Sequence, residues 1–371
     1  MNIENIHLVR DWINKNNLDG FIISHDDEFM SEYLPPQNER LAWSTGFTGS
    51  AGVAVVLKDK AAIFVDGRYT VQVQQQVDKE HFEILHLITD PYIDWVINNI
   101  DNGAKIGFDP KLFSESNLLR NFQAKNTTLI PIEKNLVDSI WANKPIEQIK
   151  KFSILNSKDT GRKFTDKINA VCNILKKEDV SKLLITSPEN LAWILNIRGQ
   201  DSQYSPLPNC HAVIDNKRKI TLIVDERKIN KKFRIKFKNY LSYIKPSNII
   251  QYFDSLNDEE NFLIDKFSCP FFYKKQIEKK FKFVEKIDPI FYLKAKKNKV
   301  EINNSIKSHI LDGVALTKFI YWIKKNISKF KITEISAKNK LEEFRKKNIS
   351  YKFPSFNTIS SAGPNGAIVH Y

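Results

Sequence analysis

The carboxyl-terminal end of the chain combines a turn sequence with a histidine, a side chain that can move protons near neutral pH. Residues 353–371 read FPSFNTISSAGPNGAIVHY. The β-type run from Phe356 to Ile359, the turn over Gly363–Gly366 and a second apolar run predict a hairpin that carries His370 to the edge of a sheet. There the histidine could transfer protons or contact a substrate. Taken alone, without the surrounding motif, the same residue is more simply interpreted as a solvated histidine at a strand end.

The chain stops at Tyr371, one residue after His370. A second hairpin strand that has only begun offers few backbone groups for pairing, because strands usually run for about five or six residues. We therefore expect these residues to be a fragment of a longer protein.

The composition is that of an ordinary globular protein with room for two or three domains. Hydrophobic residues make up 42% and charged residues 27% of 371 residues. There is no apolar run long enough to span a membrane and no secretory signal at the amino terminus. Cys172, Cys210 and Cys269 lie too far apart for a disulfide framework or a metal knuckle. A reducing, cytoplasmic compartment is the predicted location.

The net charge of +14 raises the question of a polyanionic partner. The excess is concentrated in lysine-rich stretches such as 231–238 and 294–299. These stretches show neither the aromatic pattern nor the fold motifs of nucleic-acid-binding domains, and a general bias towards Lys, Asn and Ile accounts for them. A polyanionic partner such as nucleic acid therefore stays open only as a minor alternative. No membrane partner is expected, because the sequence has no apolar run long enough to span one.

Residues 1–228 contain a diverged internal repeat, and loops absorb the small drift in its spacing. Chance similarity of short apolar strands is the alternative explanation, but the shared order and the shared tryptophan argue against it. The repeat predicts two tandem copies of one α/β unit with helices packed on a sheet. Each copy has, in the same order, an amphipathic helix (6–16 and 164–175), an apolar strand (20–24 and 182–186), the tripeptide Leu-Ala-Trp (41–43 and 191–193) and two apolar strands around a charged turn (53–66 and 212–225).

Three regions follow from this pattern, with predicted boundaries at 1–145, 146–292 and 293–371. The first boundary lies in the polar, proline-bearing connection 142–146. In the third region we predict helices over 299–325 and 333–345, the second capped by Thr333. The first of these helices carries an apolar stripe from Ile302 to Ile323, which we expect to be exposed because too little chain follows to cover it.

Several motifs along nearly the whole chain resemble those of Xaa-Pro aminopeptidases, the aminopeptidase P group of the pita-bread metallopeptidases. The tail is similar to the family pattern F-x-T-I-S-x-x-G-P-N-x-A-x-x-H-Y. The resemblance implies two related creatinase-type α/β domains followed by the incomplete start of a pita-bread α+β catalytic domain. The other motifs are Tyr33-Leu-Pro-Pro36, Glu39-Arg-Leu-Ala-Trp43, Gly46-Phe-Thr-Gly-Ser-Ala-Gly52, Asp66-Gly-Arg-Tyr69, Asn196-Ile-Arg-Gly-Gln-Asp201, Tyr204-Ser-Pro206, Lys294-Ala-Lys-Lys-Asn298 with Glu301, and His309 with Asp312-Gly313.

The resemblance implies roles for three residues. His370 would contact the substrate and shuttle protons, Arg68 would lie on the substrate side, and Phe356 would form a wall of the proline pocket. Arg68 could instead pair locally with Asp66. Three other predictions are structural: Gly46, Gly49 and Gly52 as turn glycines, Arg198 and Asp201 as supports of a loop in the second domain, and His309 as a packed or half-buried histidine.

The family's two divalent cations, implied to be Mn²⁺, are held by two aspartates, a histidine and two glutamates that all follow the residue matching His370. We expect those ligands downstream of Tyr371, so their positions are not in this sequence, and no substitute pattern such as H-E-x-x-H occurs. The resemblance therefore implies no metal ligand among these residues and no activity for the fragment.

Two functions of different classes remain open. The first is a metal-dependent aminopeptidase that releases the residue ahead of proline, acts on peptides with proline at the second position and forms a homodimer. The second is a non-catalytic protein of the same fold that binds peptides or another partner, since a fold alone does not decide function. Retention of His370 within its motif favours the enzyme.

Overall fold

The computed structural model describes residues 4–118, 126–368 and 370, apart from the side chain of Asn117. The first domain is a mixed six-stranded sheet with helices on both faces. Its strand order is β4-β3-β2-β1-β5-β6, with β1–β2 and β2–β3 antiparallel and the other pairs parallel. The strands are β1 (Gly20–Ser24), β2 (Gly52–Leu57), β3 (Ala61–Val65), β4 (Glu83–His86), β5 (Lys105–Phe108) and β6 (Thr128–Pro131), and the helices are α1 (Glu4–Lys15), α2 (Arg40–Thr45), α3 (Thr70–Gln76), α4 (Tyr92–Asn99), α5 (Glu115–Leu118) and α6 (Leu136–Ile140).

The second domain repeats this topology. Its sheet has the order β12-β11-β10-β8-β13-β14, with the same pattern of antiparallel and parallel pairs. A two-stranded ribbon, β7 with β9, is added to it. The strands are β7 (Ser153–Ile154), β8 (Lys182–Ile185), β9 (Ile197–Arg198), β10 (His211–Asp215), β11 (Ile220–Ile223), β12 (Leu241–Ile244), β13 (Asn261–Ile264) and β14 (Lys282–Glu285), and the helices are α7 (Ser157–Thr160), α8 (Phe164–Lys177), α9 (Pro188–Leu195), α10 (Lys231–Phe237), α11 (Ile249–Ser255), α12 (Phe271–Glu278) and α13 (Pro289–Ala295).

The repeat predicted from the sequence is thus confirmed: the predicted helix, three strands and Leu-Ala-Trp segment recur in the same order in both domains. Each sheet has three further strands, β4 to β6 in the first and β12 to β14 in the second. The helix that opens each copy buries the apolar residues of one face: Ile6, Val9 and Ile13 in α1, and Ile168, Val171 and Leu175 in α8. This spacing of three or four residues is what places side chains on one side of a helix. The two Leu-Ala-Trp segments both lie on short helices, α2 and α9.

Two helices follow the second domain, α14 (Lys299–Asn326) and α15 (Glu334–Lys346). Asn298 and Glu301 form a capping box at the start of α14, and Thr333 caps α15 as predicted. The apolar stripe of α14 is exposed, also as predicted, with Ile306 at 55% and Ile310 at 62% relative exposure. The prediction for His309 was wrong: this side chain is exposed, because within the described residues α14 packs mainly on α15 and leaves its other faces uncovered.

The predicted hairpin in the tail was also wrong. Within the described part of 353–370 there is no strand, and Gly363–Ala367 forms a 3₁₀-helix. The physical reason is that a lone hairpin is marginal in water, and no sheet edge among the described residues pairs with this segment. Val369 and Tyr371, which the prediction placed in the second strand, lie outside the described residues. Short 3₁₀-helices elsewhere are Pro36–Asn38, Glu226–Lys228 and Pro246–Asn248.

A pair of isoleucine substitutions tests the different packing of α8 and α14. Ile168→Ala removes a fully buried side chain and is expected to lower the free energy of unfolding by about 2–5 kcal/mol. Ile310→Ala removes an exposed side chain from the middle of a helix, so the expected change is within about 0.5 kcal/mol. Urea unfolding of the two variants measures the difference. Similar losses for both would show that the stripe of α14 is covered in solution.

Candidate functional site

His370 lies against the first domain. Its Nδ1 is 3.0 Å from the hydroxyl of Tyr69, and the two rings meet edge to face with centroids 5.4 Å apart. The ring of Phe356 approaches His370 from another side, with centroids 6.1 Å apart. The tail therefore brings two of its predicted site residues to one place, although it does so without a hairpin.

Tyr69 stands at the end of the turn that follows β3. Val65 is the last residue of the strand, the turn occupies 66–68, and α3 begins directly after Tyr69. The Tyr69 ring is fully buried and packs edge to face on Phe47 at 5.4 Å. Its hydroxyl accepts the backbone N–H of Ser50 at 3.0 Å and lies 2.7 Å from the Ser50 Oγ. A buried ring with a tied hydroxyl gives His370 a rigid partner.

Asp66 and Arg68 form a two-pronged ion pair within the same turn. Arg68 donates from its Nε and Nη2 to the carboxylate, with Nη2 to Oδ2 at 2.8 Å, and its side chain remains 40% exposed. The Arg68 hydrogen bonds hold the pKa of Asp66 below its ordinary value, and the charge of nearby His370 acts in the same direction. The guanidinium also lies 5.1 Å from the centre of the Tyr69 ring.

The second domain has the same ion pair at the equivalent turn. Asp225 accepts from the backbone N–H of Arg227 and from its Nε and Nη2, the last at 2.6 Å. The residue that follows is Lys228, which pairs with Asp201 at 2.9 Å, whereas its counterpart Tyr69 meets the tail. The aspartate–arginine pair is therefore a feature of the duplicated unit, and the aromatic residue after it is what distinguishes the first copy.

An aromatic cluster joins the tail to both domains. Phe356 packs on Tyr33 of the first domain with ring centroids 5.6 Å apart, and Tyr33 packs on Tyr204 of the second domain at 5.0 Å. The Tyr204 hydroxyl donates to the side-chain oxygen of Asn357 at 3.3 Å. Tyr204 has a positive φ of 63°, so its loop is bent to reach this position. The cluster fixes the start of the tail beside His370.

Sequence reasoning did not single out Tyr69, Ser50, Tyr33 or Tyr204 as site residues. All four lie within segments that resemble family motifs, and Tyr69 comes directly after Arg68. That position was the available signal, but the contact itself joins residues 301 positions apart. The predicted loop supports in the second domain were correct: Asp201 accepts from the backbone N–H of Asn209 at 2.8 Å, and Arg198 donates to the carbonyl of Ile197 at 2.8 Å.

The two domains also meet at a second contact, which does not involve His370. The imidazole of His211 bridges them, with Nδ1 2.8 Å from the Tyr273 hydroxyl and Nε2 3.1 Å from the carbonyl oxygen of Glu28. Burial lowers the pKa of His211 to about 4, so the ring is neutral near pH 7. A cavity of about 1690 Å³ lies beside this contact, and His370 does not line it.

The described residues do not fit a metal centre. Across 4–118, 126–368 and 370, no group of three or more His, Cys, Asp or Glu side chains is arranged to hold a metal ion. Two adjacent divalent cations need several carboxylates between them. The prediction that the ligands follow Tyr371 stays a prediction, because it concerns positions beyond this sequence and Tyr371 itself lies outside the described residues.

In the part of the chain that the structure covers, no helix has both the length and the apolar character needed for a membrane span.

Comparison with known proteins identifies all three regions. Residues 6–140 and 143–301 each match the creatinase/prolidase N-terminal domain, and residues 304–371 match metallopeptidase family M24. The Xaa-Pro aminopeptidase ApepP of Drosophila melanogaster is 31% identical over 95% of this chain and 59% of its own length. A probable Xaa-Pro aminopeptidase P of Coprinopsis cinerea is 31% identical over 98% of this chain and 62% of its own.

The fold agrees with a solved structure. The X-prolyl aminopeptidase of Caenorhabditis elegans, described as a cytosolic enzyme with a di-nuclear active site, superposes with a TM-score of 0.93 at 25% identity, over 100% of this chain and 63% of that one. The chain thus spans less than two thirds of the length of these relatives. Most of the chain therefore belongs to the creatinase/prolidase N-terminal domain family, followed by sequence of metallopeptidase family M24, and nearly the whole chain is similar to Xaa-Pro aminopeptidases.

Proposed function

We propose that the protein is a metal-dependent aminopeptidase that releases the amino-terminal residue ahead of proline. The observation that carries the proposal is the position of His370: within its complete tail motif, it meets the Tyr69 that ends the Asp-Gly-Arg-Tyr turn of the first domain. Two motifs far apart in the sequence thus converge on one histidine. Family membership supplies the reaction class.

In this proposal His370 contacts the substrate and moves a proton at its ring nitrogen. Phe356 is 47% exposed, while Tyr33 and His370 approach it edge-on, so part of its ring can pack against a proline. A proline has no N–H and a fixed ring, so its pocket is recognised by shape and apolar contact. Arg68 lies next to Tyr69 with part of its side chain exposed, and its Nη1 donates to no described residue. This nitrogen is therefore available to a substrate carbonyl or carboxylate.

Two divalent ions, proposed to be Mn²⁺, supply the activated water when bound. None of the described residues is assigned as a ligand, and we derive no step through the ions. The protein is further proposed to work in the cytoplasm, as a homodimer, on peptides with proline at the second position.

The function is tested with Arg-Pro-Pro and the matched peptide Arg-Ala-Ala, in the presence of Mn²⁺. The protein expressed from its complete reading frame is expected to release arginine from Arg-Pro-Pro, at least roughly tenfold faster than from Arg-Ala-Ala, and to lose this activity in EDTA, because a proline pocket and bound metal are both needed. In the same assay, the 371-residue chain alone is expected to stay at the blank level.

Three outcomes would contradict these expectations. Equal rates on the two peptides would remove the proline specificity. Saturable binding of Arg-Pro-Pro to the complete protein without hydrolysis would favour a peptide-binding protein. Turnover by the 371-residue chain would show that it contains a metal site that the described residues do not reveal.

A further inference from the structure

A chain of hydrogen bonds runs from His370 through the first domain to a carboxylate. His370 Nδ1 is 3.0 Å from the Tyr69 hydroxyl, which lies 2.7 Å from the Ser50 Oγ, and this Oγ is 3.3 Å from Oε1 of Glu32. The backbone N–H of Ser50 adds a fourth contact by donating to the Tyr69 hydroxyl at 3.0 Å.

The direction of these bonds follows from which groups can donate. A carboxylate only accepts, so the hydroxyl proton of Ser50 points to Glu32. The Ser50 oxygen is then free to accept the hydroxyl proton of Tyr69. The Tyr69 oxygen already accepts from the Ser50 N–H, and its other lone pair faces His370. The remaining donor for that contact is an N–H at Nδ1 of His370.

The geometry that sets this direction is held by close packing. Tyr69 is fully buried, and the loop that carries Ser50 passes directly over its ring. A Cβ added to Gly49 would lie 2.2 Å from Cζ of Phe47 and 2.8 Å from Cδ1 of Tyr69, so the backbone can approach only because Gly49 has no side chain. Ser50 therefore has little freedom to leave Tyr69.

We propose that Tyr69 and Ser50, with Glu32, are positioning residues that fix the tautomer of His370 and make Nε2 the atom presented to the substrate. The inference rests on the proposed function for its catalytic meaning. Neutral His370 carries its proton on Nδ1, so the lone pair on Nε2 can accept a proton from a substrate-side group and later return it. The hydrogen bond from Nδ1–H to Tyr69 is the same whether Nε2 is protonated or not. The hydrogen bonds among Tyr69, Ser50 and Glu32 therefore keep their direction during the transfer.

The first test determines the tautomer of His370 by ¹⁵N NMR of the protein expressed from its complete reading frame, with the signal assigned through a His370→Gln variant. The expected form of the neutral ring has the proton on Nδ1. In Ser50→Ala the Tyr69 hydroxyl loses its acceptor and is expected to donate to His370, which moves the proton to Nε2. A wild-type ring protonated on Nε2, or a Ser50→Ala ring unchanged from wild type, would overturn the proposal.

The second test measures kcat and KM with Arg-Pro-Pro for Tyr69→Phe, which keeps the ring and removes the hydroxyl. The expected result is a fall in kcat of roughly tenfold or more, a part of the roughly 10²–10⁴-fold that a positioned proton-transfer group contributes, with a smaller change in KM. Tyr273→Phe is the matched control, because it removes a buried hydroxyl 2.8 Å from Nδ1 of His211 and should leave kcat unchanged.

Equal effects of Tyr69→Phe and Tyr273→Phe on kcat would overturn the proposal, since both would then act through stability alone. Failure of the proposed function and failure of this inference can be told apart. If the wild-type protein hydrolyses no peptide, the proposed function falls, while the NMR measurement still decides whether Tyr69 and Ser50 set the tautomer of His370.

Discussion

Replacing Arg40 by alanine is expected to lower the free energy of unfolding by about 3–5 kcal/mol. The Arg40 side chain is only 3% exposed, and it donates to Asp138 at 2.9 Å from Nε and to Glu28 at 3.1 Å from Nη2. Burial alone would lower the pKa of Arg40, but the neighbouring carboxylates outweigh it and raise the pKa above its ordinary value. Without the arginine, Glu28 loses its cation, and Asp138 keeps only Lys144 at 2.7 Å.

Arg68→Ala is the matched control, because Arg68 also makes a two-pronged bond to an aspartate but does so at the surface. Its side chain is 40% exposed, and the expected loss is no more than about 1 kcal/mol. Urea unfolding followed by circular dichroism compares the two variants. Equal losses of unfolding free energy would mean that water reaches Arg40 in solution and that the carboxylates around it are stable without its charge. A large loss of unfolding free energy for Arg68→Ala alone would show that the turn after β3 stabilises the fold, although Arg68 is exposed.

The two creatinase-type domains could be predicted from the sequence because their signals are local and appear twice. Buried residues at helical spacing define α1 and α8, and unbroken apolar runs define the central strands. The repeat added information that one copy lacked, since a weak match in either copy was supported by its partner. Strands β4 to β6 and β12 to β14 were not predicted. Among them the edge strand β14, with three of its four residues exposed, buries too little apolar surface to leave a clear pattern.

The tail could be predicted only in part, because its structure depends on residues distant in the sequence. The run from Phe356 to Ile359 has β-type composition, but β propensity reflects packing against neighbouring strands, and none of the described strands lies there. The tail instead settles on Tyr33 and Tyr69, which lie some three hundred positions earlier. His309 was predicted to be packed or half-buried because it lies next to Ile310 on the apolar stripe of α14, but that stripe is exposed and the histidine is exposed with it.

The sequence predicted three residues for the candidate site, and the structure shows them within a larger set of contacts that includes Tyr69 and Asp66. His370 and Phe356 do meet, whereas among the described residues Arg68 is connected to them through Tyr69 and Asp66. The presence of the same aspartate–arginine pair in the second domain shows that a motif can be retained for its turn geometry. A residue therefore becomes a stronger candidate for function where the two copies differ, as they do at Tyr69 and Lys228. That comparison uses the sequence alone once the repeat has been recognised.

Replacing His370 by glutamine is expected to reduce kcat for Arg-Pro-Pro by roughly 10²–10⁴-fold, the usual contribution of a positioned proton-transfer group. Stability should change little, because His370 is only half-buried and the Tyr69 hydroxyl keeps its bonds to Ser50. Steady-state kinetics of the protein expressed from its complete reading frame, with Mn²⁺, measures the effect. His309→Gln is the control, since this exposed histidine hydrogen-bonds the carbonyl of Ser305 and has no other hydrogen-bond partner among the described residues, and its kcat should stay within about twofold of wild type.

Comparing His370→Gln with His309→Gln separates a loss of catalytic function from a general effect of removing an imidazole. If His370→Gln kept more than roughly a tenth of the wild-type kcat, the contact between the tail and the Asp-Gly-Arg-Tyr turn would serve packing alone. The hydrogen bonds through Tyr69 would then position a histidine that has no role in catalysis. If kcat fell while the melting temperature matched that of His309→Gln, the loss would belong to the proton transfer at Nε2 of His370. The hydroxyl of Tyr69 would then support this step by holding the other ring proton on Nδ1.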